Sequence, residues 1–450
     1  MKVHFVGVGG IGMSALAQIL LARGDSVSGS DSCDGPILKK MRVMGAEIAL
    51  GHAAAHLDHP DVVVYSTAVA PHNPEMIAAR NRGIPVISRG QMMARLVADR
   101  KLVAVAGAHG KSTTSALAAQ LLLEAGMDPT VLLGAELDSM SGNARMGQGS
   151  WAVVESDESD GSFLWLKPAV AVITNLDEEH LDYFRNRSDI EKAYTAFARR
   201  VVPGGTLIGC ADHPWLLRVL AQVSGKRLTY GLSSEASLRA SNIALGPGYS
   251  RYRFVKNRQM IGEVELFIPG LHNVQNSLAV LAVAEALKIP FPVVQAAFRK
   301  YRGARRRFEI HGEPGGILVV EDYGHHPAEI RATLQAARAW KRRIRCVFQP
   351  HRYSRTRYLM DQLAVSFDQA DEVILLPIYA ASEEPLEGSS IEALRAALRA
   401  AGRRRVRISS LEKVLKELKA TSRKGDMLLF LGAGSVGGLA KKFTEKFNAG

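Results

Sequence analysis

The segment Gly107-Ala108-His109-Gly110-Lys111-Ser112-Thr113-Thr114 has the residue types, in the right order, to hold a polyphosphate. It follows an apolar run at 102–106 and opens a helical pattern. In that context glycines let backbone N–H groups approach phosphate oxygens, and the helix N-terminus adds a positive dipole. Lys111 is expected on the β- and γ-phosphates and the Ser112 hydroxyl on Mg²⁺. Val105 stands where the longer phosphate-loop pattern has its first glycine, so the chain carries the shorter G-x-x-G-K-S form. ATP binding is the expectation, with a loop that holds no ligand as the alternative.

A second glycine motif, Gly7-Val8-Gly9-Gly10-Ile11-Gly12, follows the first apolar run, and Asp31 lies beyond the next one. The spacing fits a dinucleotide site. Its physics is more general: N–H groups for a pyrophosphate and a carboxylate for a ribose hydroxyl also suit a nucleotide-sugar diphosphate. A βα turn without a ligand is the bland reading. In Glu155-Ser156-Asp157-Glu158-Ser159-Asp160, four carboxylates so close repel unless cations intervene, which points to Mg²⁺; a solvated acidic turn is the alternative. His180, after Glu179, reads as a second-metal ligand or a surface residue. Asn273 and Asn276 at (i, i+3) offer amides to a purine edge, and N-capping explains one of them equally well. Arg306-Arg307-Phe308, Asp322-Tyr323-Gly324-His325-His326-Pro327 and the arginine-rich stretch 348–357 complete the set. His351, Arg352, Arg355 and Arg357 suit the clamping of a carboxylate or phosphate.

Elements that would position these groups alternate along the chain. Residues 1–100 predict strands at 3–8, 25–29, 61–66 and 85–87 with a helix at 13–22, a pattern that favours a parallel sheet with crossover helices. A new unit opens at 102–106, continues in a helix to 123, and adds buried strands at 151–155 and 170–174. Strands at 252–255 and 262–268 alternate polar and apolar residues, as an antiparallel sheet with one wet face does. A helix is expected at 276–287. A last βα alternation runs from 317 to 431. The expected class is α/β with three domains: 1–100 Rossmann-like, 101–303 phosphate-loop ATPase-like with a small antiparallel sheet, and 304–450 Rossmann-like.

Composition agrees with packed cores: 47% of the 450 residues are apolar, which excludes a disordered or fibrous chain. No apolar run is long enough for a membrane span. The three cysteines are far apart and fit a reduced, cytoplasmic compartment. The net charge is +13, and residues 301–450 hold 27 Lys and Arg against 17 Asp and Glu. A basic third admits nucleic acid, an anionic membrane surface or polyanionic small molecules.

Together the blocks GVGGIGMS, SGSD, Ser66-Thr67-Ala68, GAHGKSTT, ESDESDGSF, TNLDEEHLD, the G-x-H-N-x-x-N at 270–276, RRF, EDYGHHP and FQPHRYSRTR resemble the Mur ligase family over essentially the whole chain. The resemblance implies a UDP-binding domain, a central ATPase domain and a third domain contacting the amino acid. It implies ATP-dependent joining of L-alanine to the carboxylate of UDP-N-acetylmuramate, or, in a sister branch, joining of a preformed cell-wall tripeptide. By motif it places Gly9, Gly10, Ile11, Gly12, Ser14, Asp31, Ser32 and Ser66 on the UDP-sugar. Gly107 to Thr113, Asn273, Asn276 and Arg307 would hold ATP. Ser112, Glu155 and His180 would hold two Mg²⁺ ions, with Mn²⁺ as a substitute. Lys111, Glu155, His180 and Asp322 are the implied catalytic set, and Tyr323, His325, His351, Arg352 and Arg355 would surround the amino acid. Ala108 and Ser112 stand where the usual loop has threonines, Glu321 replaces a common aspartate and Leu271 an arginine. Lys192 does not match the spacing of the carbamylated lysine of sister enzymes.

Two rival classes are a nicotinamide-dependent oxidoreductase on Gly7–Gly12 and a nucleotide-sensing protein that binds nucleic acid. The first leaves the Lys111 loop and the acidic cluster unexplained. The second has few aromatic residues among its arginines. The expected partners are therefore small molecules, with no nucleic acid and no membrane, and a monomer or weak homodimer is expected.

Overall fold

The computed structural model describes residues 1–179 and 183–448. By contacts the chain forms two compact units. One comprises Met1–Asn242, Arg253–Val264 and Gln275–Tyr301; the other comprises Ile243–Tyr252, Glu265–Val274 and Arg302–Gly450.

The first unit holds the whole of one sheet and most of a second. Strands β1 (Lys2–Val6), β2 (Ser26–Asp31), β3 (Glu47–Leu50), β4 (Val62–Tyr65) and β5 (Val86–Ser88) are all parallel, in the order β3-β2-β1-β4-β5. The order reverses at β1, the switch point where such sheets bind ligands. β1 ends at Val6, two residues before its expected end, because Gly7 turns to φ +83°. β3 and the helices Pro36–Val43 and Pro74–Asn81 add to the expected elements.

The second sheet contains β6 (Lys101–Ala106), β7 (Thr130–Leu137), β8 (Gly142–Arg145), β9 (Trp151–Glu155), β10 (Val170–Ile173), β11 (Thr206–Cys210), β12 (Lys226–Gly231), β13 (Leu238–Gly246), β14 (Tyr249–Lys256) and β15 (Gln259–Leu266). Its order is β15-β14-β13-β12-β11-β10-β6-β9-β7-β8. The expected small antiparallel sheet is thus continuous with the parallel one. β6 lies between β10 and β9, parallel to both, so its C-terminal loop emerges between theirs. The helix Ile11–Ala22 ties the two sheets together: Asn143 donates from Nδ2 to Ile11 O (2.8 Å), and Gln18 donates to Asn143 Oδ1 (3.2 Å).

The second unit is built on β16 (Glu309–Gly312), β17 (Leu318–Asp322), β18 (Arg343–Phe348), β19 (Glu372–Leu375), β20 (Val406–Ile408) and β21 (Asp426–Leu431), ordered β16-β17-β21-β18-β19-β20. All pairs are parallel except β16 with β17. Its strands are apolar on both faces. Ile344, Cys346 and Phe348 of β18 enter one core with Met427, Leu429 and Leu431 of β21, whereas Val347, Leu428 and Phe430 enter the opposite one. Helices cover both faces, as a parallel sheet requires.

Candidate active site

The phosphate loop is fixed by its own glycines and by β10. Gly107 (φ +133°) and Gly110 (φ +82°) adopt backbone conformations that side chains disfavour. A Cβ on Gly107 would fall 2.0 Å from Thr174 Oγ1, and one on Gly110 would fall 2.4 Å from Asn276 Oδ1. The Thr174 hydroxyl donates to His109 O (2.6 Å). Asn175 accepts from His109 N (2.8 Å) and donates to His109 O (2.9 Å). Asp177 Oδ2 meets His109 Nε2 at 2.9 Å.

Lys111 begins the helix Lys111–Glu124, and its ammonium donates to Gly107 O (2.5 Å), Ala108 O (3.0 Å) and Glu158 Oε1 (2.9 Å). Burial alone would lower its pKa, but the carboxylates of Glu158, Asp157 and Glu179 outweigh burial and raise it, so the lysine stays charged. Burial pushes the Glu158 carboxyl up to about 7, with Lys111 opposing and Asp157 assisting. Burial would raise Asp157 too, yet Arg89 and Lys111 bring it down to about 2. Ser112 donates to Glu155 Oε1 (2.8 Å), while Glu155 Oε2 accepts from Gly134 N (2.7 Å). These hard oxygen donors, from Ser112, Glu155 and the neighbouring carboxylates, fit a magnesium ion. His180, expected as a further metal ligand and catalytic group, lies outside the described residues.

At the first sheet, Gly9 N donates to Asp31 Oδ2 (2.8 Å), and Gly7 N and Val8 N donate to Ser30 O. Asp31 therefore braces the glycine loop. Ile11 is exposed, as is Ser32, whereas Ser14 is buried with its hydroxyl donating to Ile11 O (3.1 Å). Gly10, Ile11, Gly12 and Ser66 line a cavity of about 230 Å³ together with Arg89, Glu155, Asp157 and Asp160. The cavity joins the glycine loop to the carboxylates beside the phosphate loop, within one unit.

Arg89 was not among the expected site residues. It follows β5 directly, at the strand end where parallel sheets put ligand groups, and that placement was the available signal. Ser88 and Gln91 form a reciprocal capping box that fixes the first turn of its helix.

The second unit carries the groups expected to meet the amino acid. Arg306 and Arg307 lie over the Tyr323 ring, at 4.8 and 5.2 Å from its centroid. Rings then follow one another: Tyr323–His325 at 5.6 Å, His325–His351 at 5.8 Å and His351–Tyr379 at 5.4 Å, the last pair stacked. Tyr379 escaped the sequence reading; Arg352 N donates to its carbonyl (2.8 Å). Burial, the neighbouring His325 and the cations of Arg355 and Arg352 push His351 down to about 3, so its imidazole is neutral and meets Arg355 Nη1 at 3.1 Å through Nδ1. Both Asp322 oxygens accept backbone amides, from Phe308 (2.8 Å) and Gly324 (2.7 Å). Asp322 thus holds the Arg307 and Tyr323 segments together. The Asn273 amide donates to Pro269 O (2.7 Å), closing the turn into its helix, whereas Asn276 lies against the phosphate loop.

Three family models account for most of the chain: the Mur ligase family catalytic domain over residues 2–101, the Mur ligase middle domain over 105–284, and the Mur ligase glutamate ligase domain over 306–434. The chain belongs to the Mur ligase family. It is 44% identical to the UDP-N-acetylmuramate–L-alanine ligase of Anaeromyxobacter sp. (strain Fw109-5), over 97% of this chain and 95% of that protein. A second relative of the same name, from Anaeromyxobacter dehalogenans (strain 2CP-1 / ATCC BAA-258), is 45% identical over the same shares. The crystal structure of the UDP-N-acetylmuramate-alanine ligase of Thermotoga maritima superposes with a TM-score of 0.87 at 29% identity, covering 100% of this chain and 99% of that one. A murein peptide ligase from Psychrobacter arcticus shares the fold, with a TM-score of 0.74 at 24% identity and coverage of 100% and 98%. Among the described residues, no helix is long and apolar enough to cross a membrane.

Proposed function

We propose that the chain joins L-alanine to the lactyl carboxylate of UDP-N-acetylmuramate with ATP as the energy source, releasing ADP and phosphate. The observation that carries this reading is the cavity running from the Gly10–Gly12 loop to Glu155, which accepts from Ser112 of the phosphate loop. It suits a substrate whose diphosphate sits at one glycine loop and whose carboxylate must reach a phosphoryl group held at the other. The relatives at 44–45% identity favour alanine over a preformed peptide as the amine.

The substrate carboxylate attacks the γ-phosphorus, ADP leaves, and the alanine amine then displaces phosphate from the acyl phosphate. Attack brings two anions together, so positive charge must lie beside both. Lys111 supplies it from the loop, and its charge is secured by Glu158 and Asp157. Ser112 and Glu155 would hold a magnesium ion, which supplies charge neutralisation to the phosphates. Asn276 and the amides of the loop orient the nucleotide, and the arginines and neutral His351 of the second unit receive the amino acid. Alignment of three substrates accounts for much of the acceleration; effective molarity in such reactions is worth about 7–11 kcal/mol.

The test is ADP release with ATP, Mg²⁺ and UDP-N-acetylmuramate, with and without L-alanine, and with L-Ala-γ-D-Glu-diaminopimelate in a parallel tube. Alanine-dependent turnover and a product heavier by one alanyl residue are expected. Turnover with the tripeptide alone would transfer the enzyme to the sister branch.

A further inference from the structure

The helices Arg187–Ala198 and Pro214–Ala221, which follow β10 and β11 in the first unit, border a groove of about 720 Å³. That volume is in the range of small-molecule sites. The groove shares no residue with the cavity at the glycine loop, and none of the groups expected to hold the nucleotide, the metal or the amino acid lines it.

Its charge is one-sided. Lys192, Thr195 and Arg199 share one face of the first helix, at i, i+3 and i+7, and Arg218 stands on the second. With Arg187, the wall carries four cations against a single carboxylate, Glu191. That carboxylate is engaged elsewhere: Oε2 accepts from Trp215 Nε1 (2.9 Å) and Oε1 from Gln222 Nε2 (3.0 Å), so it ties the two helices together instead of neutralising an arginine. Arg187 lies over the Trp215 ring, 4.3 Å from its centroid, and Lys192 has Asp189 at 3.6 Å. Arg199 and Arg218 are exposed, and among the described residues neither makes a side-chain hydrogen bond or an ion pair.

Thr195 is an independent sign of a missing ligand. It is only 5% exposed, yet its hydroxyl has no hydrogen-bond partner among the described residues, not even the carbonyl one turn back that a helical threonine can take. A buried hydroxyl without a partner costs free energy that an acceptor in the groove would recover.

We propose that this groove binds a small polyanion with two or more linked phosphates, and that Arg199 and Arg218 are its main contacts. Guanidinium forks match phosphate oxygens, and several spaced cations suit a chain of phosphates better than one isolated anion. The shorter helix has eight residues and spans about 12 Å, room for two or three phosphates but not for an extended nucleic-acid strand. Trp215 is buried beneath Arg187, so its ring offers no platform for a stacked base.

Calorimetry on the full chain tests this with ADP and, separately, inorganic pyrophosphate, on the wild type and on the double variant Arg199→Ser/Arg218→Ser. Both substituted side chains are exposed and without partners, so alanine-dependent ADP release should be unchanged in the variant. In the wild type at least one of the two ligands should fill a second class of site, distinct from that at the phosphate loop. The double variant should weaken that class by at least about tenfold and leave the phosphate-loop class within about twofold. ADP alone in the groove identifies a nucleotide as its ligand, pyrophosphate alone a free polyphosphate, and both together the phosphate chemistry they share. A single class of site for each ligand in the wild type would overturn the proposal, as would a second class that the double variant keeps at full strength. Binding of a single-stranded oligothymidylate that the double variant loses, and that neither ligand displaces in the wild type, would assign the groove to nucleic acid and overturn it too.

Discussion

Glu75→Gln exchanges one buried oxygen for an NH₂ group at almost constant volume, and the structure sets what that should cost. The Glu75 side chain is fully buried. Its Oε1 accepts from Ala53 N (3.4 Å) and meets His56 Nδ1 at 2.8 Å. Its Oε2 accepts from Ser30 Oγ (2.5 Å) and meets His52 Nδ1 at 3.3 Å. His4 Nε2, in β1, is 3.8 Å from Oε1. One carboxylate thus ties β1, β2, the turn after β3 and the helix Pro74–Asn81. Burial would raise its pKa, but the nearby His4 ring and the hydrogen bonds with Ser30 and His56 bring it down to about 2 from the usual 4.5. A depressed carboxylate contributes stability that is complete above the unfolded value and is lost as pH falls from about 4.5 to about 2. At roughly 1.4 kcal/mol per unit the contribution is about 3 kcal/mol, all of it present at neutral pH and absent from the amide. Several domains in one chain make a single melting temperature a poor measure. Hydrogen exchange read by mass spectrometry is the better one, because it resolves local opening. At pH 7 protection in peptides from β1 and β2 should fall by roughly two orders of magnitude, with β17 to β21 unchanged. Since Ser30 O accepts from Gly7 and Val8, binding of the UDP-sugar should weaken too. A fall in protection of less than about threefold would refute the linkage argument.

Two further outcomes concern the phosphate loop. Lys111→Ala should abolish ADP formation while leaving the UDP-sugar affinity nearly intact, as read by turnover and by calorimetry; loss of both together would contradict the division of binding between the two glycine loops. Gly107→Ala should remove ATP binding altogether, because the methyl group collides with Thr174 and the φ of +133° disfavours any side chain; ATP bound with wild-type affinity would show that the loop rearranges freely.

The elements were legible where the local signal was strong. The strand at 151–155 agrees with its expected bounds, and the helix after Gly270 agrees in its end at Leu287. That helix starts five residues before its expected start, at Leu271, because Gly270 (φ +102°) makes the turn and the first turn of the helix contains the two polar residues His272 and Asn273. The glycine loops and the acidic strand end were visible as motifs, since glycine conformation and carboxylate crowding are properties of neighbours in sequence. Arg89 with Asp160, Tyr379 with His351 and Glu75 with its histidines were not. Their partners lie 71, 28 and up to 71 residues away, and isolated His, Arg and Tyr residues carry no period that announces such meetings. Asp322 and Ser14 show the converse: motif membership picks out a residue without revealing whether its polar atoms face a ligand or the backbone.

The chain passes between its two compact units five times, at 242–243, 252–253, 264–265, 274–275 and 301–302. A recombination event joining the first 301 residues of one family member to the remainder of another would therefore graft the larger part of a foreign second unit onto two native segments of it. Exchange of this unit between relatives has to include 243–252 and 265–274, or those twenty residues must already match the incoming core. Such threading makes the unit a poor cassette, and its sequence is expected to diversify in step with that of the first unit rather than by shuffling.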